Sequence, residues 1–333
     1  MSIDWAALKA AIEVAQRIVL TSHVRPDCDA LGSELGMAAL LRQMGKEVTI
    51  VNDSETPTHL EFIDPAKEIK QLGKDISREE ILNGFDAFMV VDTSAWIQLG
   101  EMADVMKEFR GVKLVLDHHV SQDDLGGEMF KDPKCEATGR LVYEAAKAWE
   151  MTITKETATV LFTAIATDTG WFRFPSVSGS TYRAIGDLID AGAVPSDVYG
   201  NLFENERLQR VNLRGRILAS AKIILDGRLA YSMATQKDFE ETGATPSDTE
   251  DAINKTMAVT GVEAAILFVE LPNGDGVKAS FRSRSALDVA KLAQQFGGGG
   301  HVAAAGALVK KPLGEVVSML LEATERAMDQ YAS

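Results

Sequence analysis

The segments His23-Val24-Arg25-Pro26-Asp27-Cys28-Asp29-Ala30 and Asp117-His118-His119 place carboxylates and imidazoles directly behind short apolar runs. Asp92 closes a third such run and Asp168 ends a helical one, so hard donors recur at element ends. Carboxylates with imidazoles and no thiolates suit Mn2+, Mg2+ or Fe2+ better than a structural zinc. A carboxylate shared by two divalent ions holds them about 3.5–4 Å apart, where they generate hydroxide near neutral pH and stabilise both oxygens of a phosphoryl displacement. Asp27 and Asp29, two residues apart, are expected on one side of an extended segment, with Cys28 turned away. Taken singly, each piece has a plainer reading: Asp92 as a strand-end cap, Asp168 as a helix end, the paired histidines as an exposed loop. Concentration outweighs it. Of five histidines, His23, His118, His119 and His301 fall inside motifs, and His59 reads as a surface loop residue.

The elements that must position these donors follow from hydropathy. Arg17 to Ser22 and Val112 to Leu116 are too short for core helices and rich in β-branched residues, as buried parallel strands are. Glu47 to Val51 and Phe85 to Asp92 read the same way, and helices are predicted over Ala30 to Met44, Glu136 to Glu150, Lys155 to Ala166 and Ser180 to Ala191. Alternating strands and helices predict an α/β fold with a doubly wound, mostly parallel sheet, whose ligands bind at the carboxyl ends of the strands. The polar, Arg- and Glu-rich stretch 196–225 is expected to be a helical connector between a catalytic, metal-binding domain, 1–195, and a smaller α/β substrate-binding domain, 226–333. In the latter, strands are expected over Arg228 to Thr235, Val262 to Leu271 and Val277 to Arg284. Helices are expected over Thr249 to Thr260, Ala286 to Phe296 and Leu313 to Tyr331. Pro272-Asn273-Gly274-Asp275-Gly276 is a hairpin signal.

Composition narrows the function classes. A chain of 333 residues exceeds what one core usually fills. Two cysteines, Cys28 and Cys135, are too few for a disulfide framework and suit a reducing cytoplasm. The start has no basic leader, and no apolar stretch is long enough for a membrane span, so a cytoplasmic protein with no membrane partner is expected. A net charge of −15 repels long polyanions, which disfavours long duplex nucleic acid and favours a short phosphate-bearing substrate.

The set His23, Asp27, Asp29, Asp92, Asp117-His118-His119 and Thr167-Asp168 resembles the four motifs of the DHH phosphoesterase superfamily, which includes RecJ exonucleases and family II pyrophosphatases. Gly297 to Gly306 resembles the signature of the DHH-associated substrate domain, so the likeness spans nearly the whole chain. Size and motif order most resemble the nanoRNase/pAp phosphatase branch. The resemblance implies two divalent ions, Mn2+ first with Mg2+ and Fe2+ as alternatives. One is held by His23, Asp27 and Asp92, the other by Asp29, Asp92, His118 and Asp168, with Asp92 bridging. It implies that His119 faces the scissile phosphate and that Asp117 orients the histidines from behind. Cys28 departs from the small residue usual at its position and reads as a packed thiol.

In the second domain, Arg282, Ser283 and Arg284 match the family's arginine-bearing strand, and guanidinium forks suit phosphate oxygens. Gly299, Gly300 and His301 belong to a glycine run read as a formed binding loop whose N–H groups approach phosphate. Solvated arginine is the plainer reading for both arginines, more so for Arg284. Trp171-Phe172-Arg173-Phe174 could stack a base, although core packing is the commoner fate of such a cluster. The function implied is hydrolysis of short oligoribonucleotides to 5′-mononucleotides and of 3′-phosphoadenosine 5′-phosphate (pAp) to AMP. Alternatives are a cyclic or linear dinucleotide phosphodiesterase and, in another class, an inactive nucleotide-binding regulator. RecJ-type exonuclease fits less well because the chain is acidic and short, and family II pyrophosphatase because of the glycine-His301 run. A homodimer is left open.

Overall fold

The computed structural model describes residues 3–249 and 251–329, which divide between Asn205 and Glu206 into two units. In the first, β1 (Arg17–Thr21), β2 (Glu47–Asn52), β3 (Ile69–Gln71), β4 (Ala87–Val91), β5 (Val112–Asp117) and β6 (Glu128–Lys131) form one sheet. Their order is β3-β2-β1-β4-β5-β6, and all neighbours are parallel. The expected doubly wound fold is therefore present. Ile18, Leu20, Met89 and Leu114 face the helices Cys28–Gln43, Thr138–Ala148 and Lys155–Asp168, while Val19, Phe88, Val90 and Val115 face Arg78–Gly84 and Met102–Glu108. Both faces are covered, so the strands read as continuous apolar runs, and each fully buried Leu, Ile or Phe contributes roughly 1.5–3 kcal/mol. The order in which strands are added reverses between β1 and β4, the switch point at which such sheets open a crevice.

The stretch 196–225 is not a separate connector. Helix Pro195–Phe203 belongs to the first unit, where Val198 joins the core, and helix Leu208–Ala219 to the second, where Leu213 and Ile217 pack on Ala230, Ala265 and Leu267. Its polarity misleads because the charges are used internally: Arg207 pairs with Asp248, Arg214 with Glu206 and Arg216 with Glu241.

The second unit carries a mixed sheet of β7 (Lys222–Ile224), β8 (Leu229–Ala234), β9 (Ala264–Glu270), β10 (Val277–Ser283), β11 (Gly299–His301) and β12 (Ala304–Val309). Its order is β11-β12-β10-β9-β8-β7, antiparallel except for β8 with β9. Helices Val289–Gln294 and Leu313–Asp329 cover one face, and Leu208–Ala219 with Ala252–Met257 the other. The hairpin signal does join antiparallel β9 and β10. The glycine run departs from expectation: it pairs with β12 as an edge strand instead of forming a loop. A Cβ on Gly300, at φ 144°, would lie 2.5 Å from the Ala304 carbonyl oxygen, so only glycine lets this strand close on its neighbour. Among the described residues no helix is long and apolar enough to cross a membrane.

Candidate metal centre

The donors meet where β1, β4 and β5 end. His23 lies just beyond β1, and its Nδ1–H donates to the Val24 carbonyl at 3.0 Å. That bond turns Nε2 toward Asp92 at 3.4 Å and Asp27 at 3.8 Å. His118 repeats the arrangement after β5: Nδ1–H donates to the Cys135 carbonyl at 3.1 Å, and Nε2 faces Asp168 at 3.5 Å, Asp92 at 3.6 Å and Asp29 at 3.7 Å. A ring fixed through Nδ1 with Nε2 bare toward carboxylates is the geometry of a metal-ligating histidine. The gaps are longer than hydrogen bonds. Two donor groups result, His23 with Asp27 and Asp92, and Asp29 with His118 and Asp168, while Asp92 also lies within reach of His118 and His119.

Asp27 and Asp29 do not lie on an extended segment as expected. The chain enters helix Cys28–Gln43 at once: Asp27 is its N-cap, accepting from Asp29 N–H at 2.9 Å and Ala30 N–H at 3.1 Å, and Asp29 sits in the first turn. Cys28 does turn away, into Leu31, Leu60 and Ile63, where burial pushes its thiol up to about 12. Asp92 follows β4 with φ 62°, a left-handed angle that Asp tolerates better than most residues. Asp168 is the last residue of helix Lys155–Asp168.

The carboxylates are crowded and almost dry. Asp29 and Asp92 side chains are each 2% exposed. Burial and then its neighbours Asp29 and Asp27 push the Asp92 carboxyl well above the usual range. Burial likewise raises Asp29, and raises Asp168 to about 6. Such a cluster is costly without cations, and its donor set fits hard divalent ions. When bound there, His23, Asp27, Asp29, Asp92, His118 and Asp168 would hold them.

Two holding residues were not legible beforehand. Thr138 N–H and Gly139 N–H donate to Asp29 at 2.7 and 2.8 Å, and the Thr138 hydroxyl donates to Asp92 at 2.9 Å. Helix Thr138–Ala148 has no side-chain cap of its own, so Asp29 satisfies its first N–H groups and gains from its positive end. The predicted helix Glu136 to Glu150 begins in the structure at Thr138, after Ala137, which has no side chain to cap it, and that was the only signal. A Cβ on Gly139 would lie 3.2 Å from Asp29 Oδ1 and 2.5 Å from the Ala164 methyl, so the approach requires glycine.

Asp117 orients one histidine, not both, since the Cys135 carbonyl holds His118. Fully buried, it accepts from His119 N–H at 3.0 Å and from His119 Nδ1–H at 2.9 Å. Burial alone would raise its carboxyl, but bonds from His119, Ser94 and Lys131 outweigh that and hold it far below the usual range. The hydrogen bond to Asp117 in turn raises the basicity of His119, whose side chain is half exposed. Lys131 comes from β6, a strand the sequence did not reveal, and lies 3.0 Å from Asp117.

In the second unit, Arg282 and His301 both register on Ala304, so the three form a row across β10, β12 and β11 on one sheet face. Gly299 registers on Gly306 in the same way, and Gly299, Gly300 and His301 are exposed. Ser283 and Arg284 fall outside this row. Ser283 lies on the opposite face, buried, with its hydroxyl turned to Ser285. Arg284 Nε donates to the Val262 carbonyl at 2.6 Å, so part of its fork is engaged by backbone. His59 is exposed in a short 3-10 turn, Thr58–Ile63.

Known proteins resemble this chain along most of its length. Residues 17–165 match the DHH family, N-terminal domain, and residues 226–330 the DHHA1 domain. The bifunctional oligoribonuclease and PAP phosphatase NrnA of Bacillus subtilis is 28% identical over 303 residues, 90% of this chain and 91% of that protein. Its Thermus thermophilus counterpart is 28% identical over 334 residues, 97% and 95%. An exopolyphosphatase-related protein of Bacteroides fragilis superposes with TM-score 0.85 at 26% identity, covering 98% of this chain and 96% of that one. A manganese-bound RecJ exonuclease superposes with TM-score 0.51 at 14% identity, covering 98% of this chain and 93% of that one, which shows shared fold. The chain belongs to the DHH family of phosphoesterases, with a DHHA1 domain following its DHH domain.

Proposed function

We propose that this protein hydrolyses short oligoribonucleotides to 5′-mononucleotides and converts pAp to AMP, using two divalent ions, Mn2+ by preference, that share Asp92. The observation that carries this reading is the pair of histidines fixed through Nδ1, each turning Nε2 onto Asp92. The names borne by the relatives support the substrate class. Both reactions break the bond between phosphorus and a ribose 3′ oxygen, so one centre serves both.

When bound, the ions supply Lewis-acid polarisation of the phosphate and a hydroxide near neutral pH. The protein's own residues do the rest. Thr138 and the helix start behind it hold Asp29 and Asp92 against mutual repulsion. His119, whose Nδ1–H is held by Asp117 and whose basicity that bond raises, would as the imidazolium carry a second proton on Nε2 and give it to the departing 3′ oxygen. In the second unit, Arg282, His301 and the Gly299 and Gly300 backbone bind substrate phosphate, with Ser283 and Arg284 supporting that strand.

A panel of dinucleotides, pentanucleotides, long RNA, pAp and cyclic dinucleotides with Mn2+ tests the reading. We expect kcat/KM to be highest for two- to five-residue RNA. An efficiency that climbs steadily with length replaces it with a processive exonuclease. Preference for cyclic dinucleotides replaces it with a cyclic-dinucleotide phosphodiesterase, and nucleotide binding without turnover with a regulator.

A further inference from the structure

The metal centre leaves one sequence motif unused, the segment that follows Asp168. Gly170, Trp171 and Phe172 all adopt left-handed backbone angles, with φ 57, 59 and 62°. Bulky residues rarely occupy that region, and they persist there only where the surroundings over-determine them. Thr169 supplies part of the hold: its hydroxyl accepts from Phe172 N–H at 3.1 Å, and its carbonyl accepts from Arg173 N–H and Phe174 N–H. Trp171 supplies more, packed edge-on against Phe162, Tyr199 and Phe203 with ring centroids 5.9, 5.2 and 5.6 Å away. Phe172 leans on Phe162 and Tyr182. Core packing thus accounts for the first two aromatic residues.

It does not account for Phe174, which remains 50% exposed. Its ring rests against Gly170, where an added Cβ would stand 2.5 Å from the ring carbons. The aromatic surface is therefore braced only two residues beyond Asp168. Beside it Arg173 is exposed, its Nε donating to the Gly170 carbonyl at 2.6 Å, which keeps a cation at the same turn. A strained turn that leaves an aromatic ring half in water contributes little to the core, whereas an aromatic face next to a phosphate-cleaving centre can take up a base.

We propose that Phe174 is the platform on which a nucleobase of the substrate stacks, a reading that rests on the nucleotide-hydrolase function above. The ligand is the purine or pyrimidine of a short nucleotide, and stacking on a ring face predicts tolerance of base identity.

Calorimetric titration with Mn2+ present, using adenosine 5′-monophosphate and ribose 5-phosphate, tests it, because the two ligands differ only in the base. The wild type should bind the nucleotide about tenfold tighter, the contribution of one stacked base. Phe174→Ala should abolish that difference without altering affinity for ribose 5-phosphate, and Phe174→Trp should retain it. Equal affinities in the wild type, or a base preference that survives in Phe174→Ala, overturn the platform. Failure of the hydrolase reading shows separately, as absent turnover of short RNA by the wild type, and leaves the binding comparison decisive for Phe174.

Discussion

The two units hold their candidate residues in opposite ways. In the first, Asp29, Asp92 and Asp117 are buried at the ends of parallel strands and helices, each tied to backbone or side-chain donors. In the second, His301 and its glycines stand exposed on an edge strand, level with a half-buried Arg282. Burial makes Asp29 and Asp92 expensive, because like charges in a dry place repel and are pushed toward the protonated form, whereas bonds from His119, Ser94 and Lys131 keep Asp117 ionised. Divalent cations would offset that cost, so that metal binding would add directly to stability there. Exposure makes the second set cheap to hold and easy to adjust. In the proposed function, chemistry therefore rests on crowded, pre-positioned charge, and recognition on a surface row in which the small Ala304 stands between Arg282 and His301.

The largest expected effect breaks the first half of this contrast. Asp92→Asn keeps the shape but removes the shared charge, and a loss of several kcal/mol of transition-state stabilisation lowers turnover on the order of 10^3-fold or more. The metal-free variant should nevertheless melt higher than the metal-free wild type, because one repelling carboxylate is gone. Mn2+ should then raise its Tm less. Wild-type turnover, or a lowered metal-free Tm, would show that Asp92 is not a charge held in wait for cations.

Burial of acid in the first unit extends beyond the metal centre. Glu34 lies fully buried and accepts from Asn52 Nδ2 at 2.9 Å, and Asn52 Oδ1 accepts from Ser22 N–H, just before His23, at 3.1 Å. Burial pushes Glu34 up to about 8 from 4.5, with Asp64 adding to the rise and Asn52 opposing it. Between those values the folded chain keeps a proton that the unfolded chain releases, so this group's contribution to stability falls as pH rises from about 4.5 to 8 and is level above. Glu34→Gln, neutral at every pH, should flatten that part of the profile by on the order of a few kcal/mol. Denaturant melts at pH 5, 6.5 and 8 measure it, and parallel profiles for the two proteins would mean that Glu34 is ionised in the fold.

How much of this was readable follows from the same contrast. His23, Asp92 and His118 were legible because a buried parallel strand is a run of apolar residues, and whatever polar residue ends it stands at the ligand side of the sheet. The hold on Asp29 was not, because its donors Thr138 and Gly139 lie 109 and 110 residues away and the contact uses backbone. Local geometry misread Asp27 and Asp29: two-residue spacing suggested a strand, whereas Asp27 was already acting as an N-cap. In the second unit, adjacency in Ser280 to Arg284 hid the fact that neighbouring residues on a strand face opposite ways, which separates Ser283 from Arg282. The glycine run gave no hint of β11, because nothing in four glycines has a side chain to pack; β12 supplies the pairing.

A smaller effect sharpens the second half of the contrast. Arg282→Ala removes the cation that stands level with His301 across Ala304, while every proposed metal ligand lies in the first unit. It should raise KM for a dinucleotide about tenfold, the order expected for one charge-assisted phosphate contact, with kcat little changed. Mn2+ affinity by calorimetry should stay at the wild-type value. Loss of metal binding instead would abolish the division between chemistry and recognition.

The smallest effect separates the two arginines of one strand end. Arg284 was expected beside Arg282, yet its Nε is given to the Val262 carbonyl at 2.6 Å, and a longer contact of 3.4 Å reaches the Val259 carbonyl. Those carbonyls follow helix Ala252–Met257, where a cation also meets the negative end of the helix. Arg284 therefore acts on the fold, and because it is exposed the contribution is modest, about 0.5–1 kcal/mol. Arg284→Ala should lower the Tm by a few degrees and change KM for a dinucleotide by less than about twofold, on the scale of a lost surface contact. Arg282→Ala should show the reverse, a raised KM with little change in Tm. If Arg284→Ala raises KM as much as Arg282→Ala does, its guanidinium leaves the carbonyls for substrate phosphate, and the recognition row must be widened to include it.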